Sequence, residues 1–452
     1  MKLGELARGE CPGMYRRPEK RYGEALEAIE MLARAGFKAM LAGGCVRDRQ
    51  LGIDPKDYDV ATDAEPDKVC AIFKQKGIKV ITTGIDHGTV TVIIGLDPIE
   101  ITSLREDVLT DGRHAVVKFG RSFEEDARRR DFTINAMFED ENGKVYDYFG
   151  GLDDLKNGVL RFVGDPRKRI KEDYLRIMRL FRFWARFGFR PSEQTLLAVT
   201  ELSSGLKRVS QERLTSELLQ MLSFRPVAEI IETYVKTGVN KIVTPEAKDE
   251  RVDYGLFVEL DKIDIPRRDM AGLACLIKPG PSSKSPDALC SRLKLARRDA
   301  ALLGLSLLPG QRQPCDPNED DALGAGQLME ALDSFESKLV SPDRIGFGES
   351  GHNLFIDYLY PLWMILYPEF SDYWQRLFKI ESSMGAKRRQ PLPITGKDIG
   401  STLQIQPGPE LGLLLHYLKR SFRDGIWSTK EQGLSLLRQS DIFSIASSYL
   451  RS

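Results

Sequence analysis

The stretch GGCVRDRQLGIDPKDYDVATDA, residues 43–64, places two glycines before an arginine and then two aspartates one residue apart. The KAMLAGG that leads into it reads as a short buried strand ending in a glycine turn, and CVRDRQLG as the helix that follows. DYDVAT reads as the next strand. Glycine lets backbone approach a ligand closely, and a helix start carries unpaired N–H groups that attract anions. Arg47 adds a permanent charge beside Gly44. In a strand, residues i and i+2 share a face, so Asp57 and Asp59 would project together while Tyr58 points away. Two adjacent carboxylates repel unless a cation lies between them. Hard oxygen ligands with open positions suit Mg²⁺ and substrate phosphates. Two solvent-facing loop aspartates would have the same spacing; the anion-attracting turn just upstream favours the metal. Two ions about 3.5–4 Å apart in such a site could activate a hydroxyl and steady a departing pyrophosphate.

Outward from this stretch, residues 21–162 mix short strands and helices. EALEAIEMLARAGF has helical spacing, while IKVITTG, GTVTVIIG and IEITSLR are short and β-branched. KVYDYFGGLDDLKNGVLRFVG predicts a closing hairpin and connector. Beyond Gly164 the character changes to amphipathic helices: RIKEDYLRIMRLFRFWARFGF, SQERLTSELLQML, PVAEIIETYVKTG and RDAALLGLSLL. Strand signals nearly vanish there, so the expected fold class is α+β, a mixed head followed by an all-helical stalk.

The chain has 452 residues, too many for one compact core. Hydrophobic content of 42% and charged content of 29% are those of a globular protein. No run of about 18 apolar residues is present, so no membrane span is expected. The N-terminus lacks an apolar signal core and carries Glu5 and Glu10, against a transit peptide. Six scattered cysteines without a CxxC pair, and four histidines, argue against a disulfide scaffold or structural zinc. A reducing, cytoplasmic setting is the expectation, or a mitochondrial one in a eukaryote. Net charge is zero, yet basic clusters at 128–130, at 165–183 and near Arg388 flank the acidic motif and favour a phosphate-binding surface.

GGCVRD followed by KDYDVATDA resembles the first motif of the class II tRNA nucleotidyltransferase and bacterial poly(A) polymerase superfamily. DARRRDFTINAMF is similar to its second motif, EDYLRIMRLFRF to its nucleotide-selecting motif, and RVSQERLTSELLQML to its neck motif. ITGKDIGSTLQIQPGPELGLLL resembles the tail of CCA-adding members. The resemblance implies a nucleotidyltransferase head with a DNA polymerase beta-like palm over 21–162. A neck over 163–255, a body over 256–385 and a tail over 386–452, all helical, would follow. It implies Asp57 and Asp59 as catalytic metal ligands, Arg130 as a nucleotide contact, and Asp173 and Arg176 as partners of the incoming base. The implied partners are CTP, ATP and the 3′ end of tRNA.

Asp173 and Arg176 stand at i, i+3, neighbours on one helix face, with Arg179 and Arg182 continuing the stripe and Leu175, Met178, Phe181 and Phe183 facing inward. A surface ion pair would have the same spacing. Cytosine and adenine each offer an amino donor beside a ring-nitrogen acceptor, matching a carboxylate and a guanidinium. Uracil and guanine present the reverse and would leave polar groups unpaired, at about 1–3 kcal/mol each. Arg130 has a local alternative in an ion pair with Asp126, one turn earlier. Glu100 is either a third carboxylate near the metals or a charge paired within the sheet.

TSLREDVLTDGRHAVVKFGRS occupies the place of the flexible element that CC-only members lack. Arg113, after the turn at Asp111 and Gly112, is a candidate lever for the switch from C to A, or an ordinary hairpin tip. The C-terminus is not the strongly basic tail usual in the poly(A) polymerases. EDYLRIMRLFRFWARFGF looks more like mitochondrial-type and alphaproteobacterial CCA enzymes. The expected activity is template-independent addition of C, C and A to tRNA. An A-adding enzyme that completes CC ends and a poly(A) polymerase are the alternatives. A regulatory RNA-binding protein would have had no need of DYD, nor a small-molecule nucleotidyltransferase of the helical half.

Overall fold

A computed structural model describes residues 18–110, 115–120, 122–247, 252–278, 286–307, 358–368, 375, 394–403, 418 and 428–438. The chain divides into two compact units, Met1–Gln313 and Pro314–Ser452.

The first unit opens with α1 (Pro18–Arg34), β1 (Ala39–Ala42), α2 (Gly44–Gln50), β2 (Asp59–Thr62), α3 (Pro66–Gln75) and β3 (Lys79–Ile81). Then come β4 (Thr89–Ile94), β5 (Asp97–Ser103), the hairpin β6 (Arg105–Thr110) and β7 (Ala115–Phe119), and α4 (Phe123–Arg128). β8 (Met137–Glu139) and β9 (Val145–Asp147) complete a seven-stranded sheet of order β3-β4-β5-β2-β1-β8-β9. The sheet is mixed, because β2 and β5 run parallel while the other neighbours are antiparallel. That parallel pair comes about because α3 and the β3–β4 excursion lie between its two strands. Alternation is clean in β5, where Ile99 and Ile101 are buried and Glu100 between them is exposed. Under the sheet, Ala42, Ala61, Phe123, Ala127, Ala136 and Phe138 form one cluster, so the glycine turn and the second basic motif are anchored to the same core.

The expected closing hairpin is only partly present. β8 and β9 pair, but the connector holds a helix, α5 (Gly151–Asn157), before the two-residue β10 (Val159–Leu160). Asp147 explains it: its carboxylate accepts from the N–H groups of Phe149, Gly151 and Leu152 and caps the turn into the helix.

From here the unit is helical: α6 (Pro166–Glu172), α7 (Arg176–Phe187), the short β11 (Arg190–Pro191), α8 (Glu193–Leu202), a 3₁₀ turn at Ser203–Arg208 and α9 (Gln211–Leu222). The rest comprises α10 (Ala228–Lys236), α11 (Asn240–Val243), α12 (Tyr254–Lys262), α13 (Arg268–Ile277), α14 (Pro286–Arg292) and α15 (Arg297–Leu307). α7 carries the division of labour predicted for it. Ile177, Met178, Leu180, Phe181, Phe183 and Trp184 are buried, and its arginines line the opposite face. In the second unit the described helices are Tyr360–Leu366, Gly396–Leu403 and Lys430–Arg438. The basic run near Arg388 lies outside the described residues.

Candidate active site

A cavity of about 600 Å³ opens where the ends of β1, β2 and β5 face α7. Gly44, Arg47, Asp59, Arg130, Asp173, Arg176, Arg179 and Arg182 all line it. Sequence positions spread over more than a hundred residues thus meet in one place. Asp57 does not line it, and Arg113 lies outside the described residues. Nine arginines and four carboxylates face this space, so its field favours a polyanion.

The two aspartates are not related by strand alternation. β2 begins at Asp59, and Asp57 sits exposed in the bend before it, with Tyr58 buried between them as expected. Arg21 donates to the carbonyl of Lys56 at 2.6 Å in that bend, and the chain enters the strand two residues later than DYDVAT implies. The carboxylate facing Asp59 across the sheet is Glu100, its partner in the parallel β2–β5 register and a lining residue of the cavity. Burial, reinforced by the charge of Glu100 and then of Asp57, pushes the Asp59 carboxyl up from 3.8 to about 6, against the opposing pull of Arg130. Mutually repelling oxygen donors are what a hard cation relieves, so the donor set fits a metal ion. No group of three or more His, Cys, Asp or Glu placed to hold a metal ion is found among the described residues.

This strain has a stability consequence. Because the folded Asp59 binds its proton more tightly than the unfolded one, its contribution is present below about pH 4 and is lost as pH rises through about 6. In metal-free protein Asp59→Asn should therefore raise stability at pH 7.5 by about 1–3 kcal/mol. The gain should fade on acidification to pH 4, as read by denaturant melts at the two pH values.

Gly43, which the sequence reading did not single out as a site residue, has φ +75°, and a Cβ there would meet Nη1 of Arg130 at 2.6 Å. The turn is open because a guanidinium occupies the side-chain position. Arg130 faces both ways. It lines the cavity, and its Nε and Nη2 donate to Asp126 at 3.1 and 3.0 Å.

Arg47 is 3% exposed. It donates to Asp48 at 2.8 Å and to Oδ1 of Asn135 at 2.5 Å, with its guanidinium 4.7 Å from the Phe187 ring centroid. Burial lowers its pKa, opposed by Asp48. It is a wall of the site with its charge already partnered. Asp48 also accepts from Arg186 at 2.9 Å, and Asn135 donates to Asp131 at 3.0 Å. Asp131 accepts from Nε of Arg179 at 2.8 Å, and Glu217 on α9 pairs with Arg182 at 2.6 Å. One polar chain thus runs from α2 through the second motif to α7 and α9. Burial alone would raise the Asp131 pKa; Arg179, Asn135 and the Phe132 N–H together hold it well below the usual carboxylate range.

Asp173 and Arg176 do not share a helix. α6 ends at Glu172 and α7 starts at Arg176, and Asp173 between them is extended at φ −148° and ψ 106°. Its carboxylate caps the break, accepting from the Leu175 N–H at 3.0 Å, and pairs with Arg213 of α9 at 3.1 Å. Arg176 donates to Glu172 and to the Arg169 carbonyl, both at 2.7 Å. The expected i, i+3 pair is replaced by two side chains held separately at the cavity edge. Arg186 and Arg213 are site residues that the sequence analysis does not name, and Glu100, open there between two roles, lines the cavity opposite Asp59. Arg186 continues the α7 stripe four residues after Arg182, a signal legible in the sequence.

Residues 39–161 match the family described as "Poly A polymerase head domain", and residues 188–250 the one described as "Probable RNA and SrmB- binding site of polymerase A". The mitochondrial CCA tRNA nucleotidyltransferase 1 of Mus musculus is 31% identical over 430 residues, covering 92% of this chain and 91% of that protein. The chain belongs to the CCA-adding enzyme family. A CCA-adding enzyme of Streptococcus gordonii is 30% identical over 414 residues, 89% of this chain and 94% of its own. The crystal structure of the Bacillus stearothermophilus CCA-adding enzyme in complex with CTP aligns with TM-score 0.64 at 25% identity, covering 96% of this chain and 100% of that one. The nucleotidyltransferase head and helical remainder are the fold of CCA-adding enzymes, whose nucleotidyl transfer depends on a metal ion.

Proposed function

We propose that this protein builds the CCA end of tRNA, transferring C, C and A from CTP and ATP to the 3′ hydroxyl without a nucleic-acid template and releasing pyrophosphate. The observation that carries the reading is the single cavity in which Asp59 and Glu100 face the arginine wall bearing Asp173 and Arg176. We take the ion to be Mg²⁺, held by Asp59 with Asp57 and with Glu100 within reach. When bound, it supplies Lewis-acid stabilisation of the triphosphate and a more nucleophilic hydroxyl. Gly44, Arg47, Arg130, Arg179 and Arg182 shape and charge the nucleotide pocket, and Arg113 is assigned the switch from C to A on sequence alone.

Base choice falls to Asp173 and Arg176. A carboxylate has about four acceptor positions and a guanidinium five N–H donors. Their protein partners at the cavity edge leave capacity on both for a base edge. Cytosine or adenine would meet a matching acceptor and donor; uracil or guanine would meet like against like. No helix among the described residues is long and apolar enough to cross a membrane. The reading places the reaction in the cytoplasm or, in a eukaryote, in the mitochondrion.

Transfer of label from radiolabelled ATP to tRNA rather than to a small hydroxyl acceptor is the expected result; labelling of the small acceptor alone would overturn the reading. tRNA phosphates should dock along the helical half, around Arg167 and Lys168. Arg167 already has a carboxylate neighbour in Glu201, so its binding rests on exchange of partners; Arg169, the third residue of this basic run, is buried and donates to the Arg130 carbonyl at 2.9 Å. Affinity should fall by about tenfold or more between 50 and 200 mM salt, measured by filter binding. A flat response would rule out electrostatic docking.

A further inference from the structure

Tyr174 stands between the two residues assigned to base choice, in the break that separates α6 from α7, and it is only half-buried. Its ring lies directly on the backbone of Gly205, in the 3₁₀ turn before α9. A Cβ at position 205 would fall against Cε1, Cδ1 and Cζ of that ring. Gly205 has no left-handed φ to account for it; what excludes a side chain is the space the ring fills. The guanidinium of Arg208 lies over the same ring, 5.5 Å from its centroid. Leu206, next to the glycine, is fully buried, so the turn is anchored and cannot easily retreat.

The backbone around Tyr174 starts α7. Its carbonyl accepts from the Ile177 N–H at 3.1 Å, and the Asp173 carbonyl accepts from the Arg176 N–H at 3.1 Å. A displacement of the ring therefore moves the peptide units that carry both Asp173 and Arg176. Arg213, on α9 just beyond the same 3₁₀ turn, donates to the Asp173 carboxylate at 3.1 Å.

We propose that the notch at Gly205 and the Tyr174 ring seated in it form a positioning device for base selection, setting the Asp173–Arg176 spacing. This rests on the assignment of those two residues to the base edge. The ring does not touch the base; it holds the break that keeps Asp173 on Arg213 and Arg176 on Glu172, both lining the cavity.

The test uses the full-length chain and measures incorporation of each of the four nucleotides on tRNA, with a thermal melt of every variant. Gly205→Ala should lower the preference for CTP and ATP over UTP and GTP by about tenfold, the size of one lost base-edge hydrogen bond. Tyr174→Ala should relax it similarly. In the Tyr174→Ala background, adding Gly205→Ala should have no further effect, because the ring it would displace is gone. Wild-type preference in either single variant, with or without a lower melting temperature, overturns the proposal, and so does simple additivity in the double variant. Should Gly205→Ala not fold, Tyr174→Ala alone decides. Asp173→Ala run alongside separates the failures: if it keeps the wild-type preference, the base-edge assignment is wrong; if it relaxes while Tyr174→Ala does not, only the positioning device is.

Discussion

Asp59→Ala is expected to lose on the order of a thousandfold or more of nucleotide transfer, with the fold intact. Several kcal/mol of charge stabilisation at the triphosphate would depend on this carboxylate, and each 1.4 kcal/mol or so is tenfold in rate. Asp59 stands at the first position of β2, in register with Glu100 and facing the cavity. Burial and the neighbouring Glu100 charge raise its pKa, a cost that a bound cation would offset. Asp57→Ala should fall with it, because the bend holds Asp57 close enough to bear on the Asp59 charge. Asp54→Ala, an exposed carboxylate of the same loop that does not line the cavity, should keep near wild-type turnover. Single-turnover assays with circular dichroism check all three. More than a few per cent of turnover in both Asp57 and Asp59 variants would sink the assignment.

The second large effect is on base choice. Asp173→Ala should lose discrimination against UTP and GTP by about tenfold to a hundredfold, as a carboxylate no longer confronts their carbonyls. Catalysis should persist at a reduced rate, since the contacts proposed for the triphosphate are made by other parts of the cavity. Arg176→Ala should relax the same preference, and the double variant should be little worse than either single one, because the two act on one base edge. Each side chain has partners of its own, Arg213 for Asp173 and Glu172 for Arg176. A purely structural role would therefore predict lower melting temperatures and unchanged nucleotide preference. Incorporation of the four nucleotides by each variant distinguishes the two.

Much of this was legible in the sequence because the relevant signals are local. Glycine punctuation and β-branched runs located β1, β2 and β4, and 3.6-residue periodicity located α7 and α9. What escaped was set by contacts between distant segments or by competition within a turn. EDYLR holds no glycine or proline, yet the helix breaks there because the Asp173 side chain captures the Leu175 N–H, a bond that competes with the helix ladder. The Asp131–Arg179 and Asp173–Arg213 pairs join residues 48 and 40 positions apart, and no periodicity announces them. Glu100 was seen but left open, since only the β2–β5 register puts it opposite Asp59.

The most direct test is a nucleotide-omission assay on two tRNA transcripts, one ending before CCA and one ending after CC. The first is expected to gain two residues with CTP alone and a third only when ATP is also present, and the second to gain one residue with ATP alone. No extension of either transcript, or extension of the CC-ending one only, would contradict the proposed activity.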